Sequence, residues 1–159
     1  MELTDFLEKH GANRVDVGSH FLRDEDALDA VKSNGYDLRY VREKTPEICM
    51  AAVEKEGNAL EFVREQTPEI CMAAVKNRPF ALEFVRSQTP EICLAAVERD
   101  GFALRFVREQ THEICLAAVK QDGFALQFVR EQTLQISLAA VKNRILAMRY
   151  VDQAVFDGK

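Results

Sequence analysis

Four cysteines recur at one fixed interval and are the first candidates for chemistry in this sequence. Cys49, Cys71, Cys93 and Cys115 lie 22 residues apart, and Ser137 takes the next position of the series. Four thiolates around one zinc ion would need Zn–S bonds of about 2.3 Å, and hence sulfur atoms roughly 4 Å apart. A disulfide would need Cα atoms within about 7 Å. If each cysteine lies on its own helix, an interaxial spacing of about 8–10 Å excludes both arrangements. We therefore expect free, buried core thiols and no metal site.

Arginines form a second series with the same step: Arg42, Arg64, Arg86, Arg108 and Arg130. In one interpretation, each interacts locally with a helix C-terminus and nearby glutamates, a contribution of about 0.3–1 kcal/mol for an exposed cation. In the other, the guanidinium groups form a regular row that binds carboxylates or phosphates of a partner. The spacing is compatible with both.

A third series changes its residue type from one repeat to the next: Arg39, Glu61, Glu83, Arg105, Gln127 and Arg149. Residues that vary on a constant frame are either unconstrained and solvated or form a recognition surface. Both interpretations stay open from the sequence alone. The candidate partner-binding residues are the arginine series together with Glu61, Glu83, Arg105 and Gln127 of this series.

Enzymatic chemistry is not indicated. The chain has three histidines, its glycines are isolated, and no set of nucleophile, base and orienting residue stands out. We therefore expect no catalytic residue and no cofactor. The formal net charge of −5 also opposes non-specific binding to nucleic acid or to an anionic membrane.

The three series belong to one tandem repeat. Residues 89–110 and 111–132 are identical at 18 of 22 positions, and a period of this length is typical of a repeat array. Units are expected at 23–44, 45–66, 67–88, 89–110, 111–132 and 133–154. Residues 1–22 are expected to form an N-terminal cap with a short amphipathic helix, and residues 155–159 a C-terminal tail.

Each unit is expected to contain two short helices. Thr67 is a good N-cap residue, Pro68 suits the first helical position, and Glu69 favours the positive end of the helix dipole. Gly57 is expected to end the first helix of its unit, and the second helix should continue to the next capping threonine. The sequence thus predicts an all-α fold, a short α-solenoid of six 22-residue helix–turn–helix repeats with an N-terminal capping helix.

The motif EICLAAVKQDGFALQFV at 113–129 resembles the bacterial and viral helical repeats grouped as the domain of unknown function 4116 family. The similarity spans about residues 24–151 and rests on the pattern (I/V)xxAAV…G-x-ALxxV. It implies an all-helical repeat, and because the family carries no established activity it implies no catalytic residue.

These observations favour a non-enzymatic protein that binds a protein partner through one face of the solenoid. The alternative is a role linked to nucleic acid. It would take the form of direct binding along the arginine series, which the net charge opposes, or of an acidic decoy that inhibits a nucleic-acid-processing enzyme. A cytoplasmic location is expected, because the acidic start of the chain does not resemble a signal peptide and no apolar run is long enough for a membrane span.

Overall fold

The computed structural model describes residues 15–16, 21–22 and 24–155. Over residues 24–150, α-helices alternate with 3₁₀-helices, one of each per unit. The bounds are α1 Asp24–Ser33, η1 Gly35–Tyr40, α2 Pro46–Lys55, η2 Gly57–Phe62, α3 Pro68–Asn77, η3 Pro79–Phe84, α4 Pro90–Arg99, η4 Gly101–Phe106, α5 His112–Gln121, η5 Gly123–Phe128, α6 Leu134–Asn143 and η6 Ile145–Tyr150. A 3₁₀ turn, η7, follows at Gln153–Val155. The expected helical repeat of six units is confirmed.

The N-terminus of each α-helix forms as the Thr-Pro-Glu motif predicts. The Thr67 hydroxyl accepts the backbone N–H of Ile70, three residues into α3, and Pro68 occupies the first helical position. The hydroxyls of Thr45, Thr89, Thr111 and Thr133 make the equivalent bond. Each cap satisfies an N–H group that the helix itself leaves unpaired.

The second helix of each unit is shorter and tighter than expected. It is a six-residue 3₁₀-helix that ends at Phe62 in η2, where the N–H of Val63 donates to the carbonyl oxygen of Leu60 at 3.1 Å. Gly57, Leu60 and Val63 are buried at intervals of three, which matches the three residues per turn of a 3₁₀-helix. The chain then runs to the next capping threonine in a non-helical segment, called here the strap: residues 41–44, 63–66, 85–88, 107–110 and 129–132.

Gly57 has a different role from the helix stop that the sequence suggested. The residue that caps α2 is Glu56, in extended conformation. A Cβ atom at Gly57 would lie 2.4 Å from the carbonyl oxygen of Ala74 in the next unit. Glycine is therefore favoured here, because successive units approach closely and a side chain would force the neighbouring backbone to shift.

The units stack in two layers. Each α-helix packs on the next α-helix, and each 3₁₀-helix packs both on the next 3₁₀-helix and on the next α-helix. Small and branched apolar residues at equivalent positions, such as Ala74, Val75, Ala81, Leu82 and Val85, are completely buried between neighbours. Because each unit buries its apolar surface on the next, the array needs no other core.

The ends of the chain are described only in part. Val15–Asp16 and Phe21–Leu22 form a two-stranded antiparallel pair. The capping helix predicted near Leu3 lies outside the described residues, as does most of the predicted tail at 155–159.

Candidate interaction surface

The cysteine series lies in the core. All four thiols are free, and each cysteine is 3% exposed. Burial raises the pKa of the Cys93 thiol, although the nearby Arg108 guanidinium acts in the opposite direction. Within the part of the chain that the structure describes, no group of three or more metal-ligating side chains converges. The expectation of free, buried cysteines is confirmed.

Three of the thiols lie beside a series of glutamines that was not predicted from the sequence. The Cys93 Sγ lies 3.7 Å from Oε1 of Gln88, and that oxygen also accepts the backbone N–H of Arg108 at 2.9 Å. On the other side of the same amide, Nε2 donates to the carbonyl oxygen of Phe106 at 2.9 Å and to that of Leu82 at 3.2 Å. One side chain thus joins its own unit to the strap of the next.

The same bridge recurs along the array. Gln66, Gln110 and Gln132 make the equivalent bonds to the next unit. At Ser137, the hydroxyl replaces the thiol and donates to Gln132 at 3.4 Å. The signal was present in the sequence, because glutamine stands at this position in four successive units.

Three members of the arginine series have a structural role. The guanidinium of Arg108 donates to the carbonyl oxygens of Arg86 and Val85 at 2.6 and 2.9 Å, both in the preceding strap. Arg130 makes the same pair of bonds one unit later, and Arg86 donates to the carbonyl oxygen of Arg64. These donors therefore already hold one strap to the next. All five side chains of the series, Arg42 and Arg64 included, remain exposed at the surface.

A third set of bridges lies on the α-helical side. The Asn77 side chain accepts the N–H of Gly57 at 2.8 Å and donates to the carbonyl oxygen of Glu54 at 2.8 Å. Gln121 and Asn143 make the same bridge to Gly101 and Gly123. Where Pro79 removes the N–H group, the corresponding side chain is Arg99, which cannot accept a hydrogen bond.

The variable series is exposed on the 3₁₀-helices and makes few contacts. Arg105 lies over the rings of Phe106 and Phe128, with its guanidinium carbon 5.0 and 5.9 Å from their centroids. Gln127 bonds only within its own helix, donating to Phe124 at 3.0 Å. The carboxylates of Glu61 and Glu83 have no hydrogen-bond or ion-pair partner within the described chain.

Aromatic rings continue across units beside this series. Phe80 and Phe106 meet edge to face with their centroids 5.8 Å apart, and Phe102 and Phe128 do so at 5.7 Å. Phe80 remains 40% exposed. We call the surface formed by Glu61, Glu83, Arg105, Gln127 and these rings the 3₁₀ face.

Clefts of about 250 Å³ lie between successive straps. One is lined by Arg86, Gln88, Arg108, Glu109 and Ile114, among others, and a second of the same volume follows one unit later beside Arg130. At the N-terminus of α4, the pKa of Glu91 is lowered by hydrogen bonds from its own backbone N–H and from the Thr89 hydroxyl. The clefts are thus lined by both positive and negative side chains. The positive end of the α4 dipole already has the Glu91 carboxylate beside it.

A family model decides the classification of the chain. The model described as Domain of unknown function (DUF4116) matches residues 24–67, 46–89, 67–112 and 89–134. The chain belongs to this family. Each match covers two consecutive units and begins about one unit after the previous one, as stacking of equivalent units requires. No curated protein and no solved structure gives a significant match.

The family matches end at residue 134, whereas the sequence pattern extended the resemblance to about residue 151. The last unit keeps the fold but changes several recurring residues: Leu134 replaces the helix-starting proline or histidine, Ser137 the cysteine, and Ile145 the glycine. This unit of the DUF4116 array therefore differs from the others in side chains rather than in backbone.

Proposed function

We propose that this chain is a non-enzymatic helical-repeat protein that binds a protein partner through its 3₁₀ face. The proposal rests on one observation: some recurring polar residues hold the units together, and others have no such role. The glutamine series and three of the arginines, Arg86, Arg108 and Arg130, bond between units, whereas Glu61 and Glu83 of the variable series are exposed and unpaired in the described chain. Acidic, basic and amide groups thus stand at one-unit intervals on a constant frame.

Rigidity of the frame supports this assignment. The backbone of the 3₁₀-helices is held in place by the neighbouring units. A partner that binds their side chains therefore causes little further loss of backbone entropy, and binding is tighter for the same contacts. The partly exposed Phe80 ring offers an apolar contact beside the charged residues. Apolar contacts surrounded by polar groups are typical of protein–protein interfaces.

The arginine series supports a nucleic-acid role less well than its spacing suggested. Guanidinium groups that donate to backbone carbonyls retain their charge, but their best-directed donors are already used. Glu69 and Glu91, whose lowered pKa values keep them ionised, lie at helix starts on the same side. Direct binding would show an affinity for oligonucleotides that falls steeply with salt, which fluorescence anisotropy measures.

We also propose a reducing, cytoplasmic location. Its support is that all four cysteines are free thiols, as is usual where the surroundings keep cysteine reduced.

The decisive experiment compares two triple variants that change the net charge equally. One carries Glu61→Lys, Glu83→Lys and Arg105→Glu on the 3₁₀ face. The control carries Glu54→Lys, Lys76→Glu and Glu98→Lys, all exposed on the α-helical side. Proteins captured from a lysate of the source organism are compared by quantitative mass spectrometry.

We expect a protein that wild type and control retain and the 3₁₀-face variant loses by at least tenfold, about 1.4 kcal/mol of binding free energy. Circular dichroism should stay unchanged in both variants, since isolated exposed charges contribute little to stability. Equal capture by all three proteins, or a loss confined to the control, would contradict the assignment of the face.

A further inference from the structure

Large exposed apolar side chains are concentrated at the C-terminal end of the array. Leu134, Leu138, Ile145, Leu146 and Met148 are each more than half exposed, with values from 53% to 68%, and all belong to α6 and η6. We call this set the end face. In the other described units, the large apolar residues that stay exposed are Tyr36, Tyr40 and Phe80, at 37–41%.

The end face continues the interface between units. Met148 is 58% exposed, whereas Leu126, the equivalent residue one unit earlier, is completely buried against unit six. Leu146 occupies the position of Phe102, whose ring contacts Phe128 of the following unit. Apart from Leu134, whose equivalents stay exposed in the earlier units, the end face is therefore the surface on which every earlier unit carries a neighbour.

Another unit of the same kind is poorly suited to this surface. Ala154 stands where Gln132 bridges to the next strap, and it has no amide. Val155 stands where Thr133 caps a helix, and it lies in the 3₁₀ turn η7. Ile145 places a β-branched side chain where Gly123 nearly touches the carbonyl oxygen of Ala140. The apolar surface is kept while the polar contacts of the stacking are lost.

We propose that the end face binds the end face of a second copy of this chain, forming a two-fold symmetric dimer. In a head-to-tail contact, the end face would pack against the first unit of another copy. The glutamine bridge would be missing there, because Ala154 has no amide. A two-fold contact needs only a self-complementary apolar patch, and it is the commonest symmetry of homo-oligomers. Clusters of large exposed apolar side chains commonly mark interaction sites. Five such side chains from each partner would form a small interface, near the lower limit of about 1,000 Å² for specific contacts, so a micromolar dissociation constant is expected.

Sedimentation velocity over a concentration series from about 1 to 200 μM tests the proposal, since this range brackets the expected constant. The wild type should change from one to two chains in mass. A Leu138→Gln, Met148→Gln variant should stay at one chain or dimerise at least tenfold more weakly. Tyr36→Gln, at the other end of the array, is the control and should dimerise like the wild type.

Cross-linking distinguishes the symmetry. A Leu146→Cys variant should form disulfide-linked pairs on mild oxidation, because a two-fold axis through so small a face brings the two copies of residue 146 near each other and the native thiols are buried. In a head-to-tail stack the new thiol would face a surface without an accessible cysteine, so absence of linked pairs together with sedimenting species larger than two chains would overturn the proposal. A wild type that stays monomeric throughout, or a dimer that the glutamine variant leaves unchanged, would overturn it as well.

Discussion

Replacing Gln88 by alanine should destabilise the array far more than its half-buried position suggests. The change removes hydrogen bonds of 2.9 Å to the Phe106 carbonyl and from the Arg108 N–H, and a third of 3.2 Å to Leu82. Each of these three bonds contributes about 0.5–1.5 kcal/mol net. The expected loss in unfolding free energy is therefore about 2–4 kcal/mol.

Urea denaturation followed by far-ultraviolet circular dichroism measures this loss. With a slope of about 2 kcal/mol per molar, the midpoint should fall by about 1–2 M. Gln127→Ala is the matched control, because that amide donates only within its own helix, and it should cost less than about 0.5 kcal/mol. If the two variants lose equal stability, the Gln88 amide does not couple the units and the reasoning fails.

Two further predictions concern the contacts between units. Gly101→Ala should cost about 1–3 kcal/mol, because its Cβ would lie 2.5 Å from the Ala118 carbonyl oxygen; urea midpoints check this, and a neutral effect would refute the close approach. Burial raises the pKa of Cys93 above its ordinary value of 9.0, so the folded state holds the thiol proton more tightly than the unfolded state. The associated stability is complete below the unfolded pKa and is lost as pH rises through the folded one. As the pH rises from about 8 to about 10, the urea midpoint should therefore fall less for Cys93→Ser than for the wild type. Equal falls in the two proteins would count against a buried thiol.

Most of the fold could be predicted from the sequence because its determinants are local and repeated. Thr67 caps its helix through bonds that span three residues, and the 22-residue period fixes which faces must stack. The 3₁₀ geometry could not be predicted in the same way. Over six residues the burial pattern of α- and 3₁₀-helices differs little, so the spacing of apolar residues does not distinguish them.

The roles of the polar series were harder to predict because they depend on pairs about one unit apart in sequence. Arg108 donates to the backbone carbonyl of Arg86, 22 residues earlier. Because every residue has such a carbonyl, the acceptor cannot be recognised from the residue type. Gln88 was overlooked for a related reason: an amide without charge suggests no chemistry by itself. Its partners include two carbonyls and an N–H, which every residue except proline can supply.

The exception at Pro79 shows how the frame and the surface are separated in this array. Proline removes the N–H that an amide would bind, Arg99 stands in the place of that amide, and units three and four still stack, although their 3₁₀-helices pack less closely than those of the other junctions. The glutamine bridge between the same two units is intact, because Gln88 of unit three bonds to Phe106 and Arg108 of unit four. The arginine bridge from Arg108 to Arg86 is present there as well, so the amide bridge can be absent without loss of the stack. Residues outside these sets, such as Glu83, are not constrained by the hydrogen bonds that hold the stack.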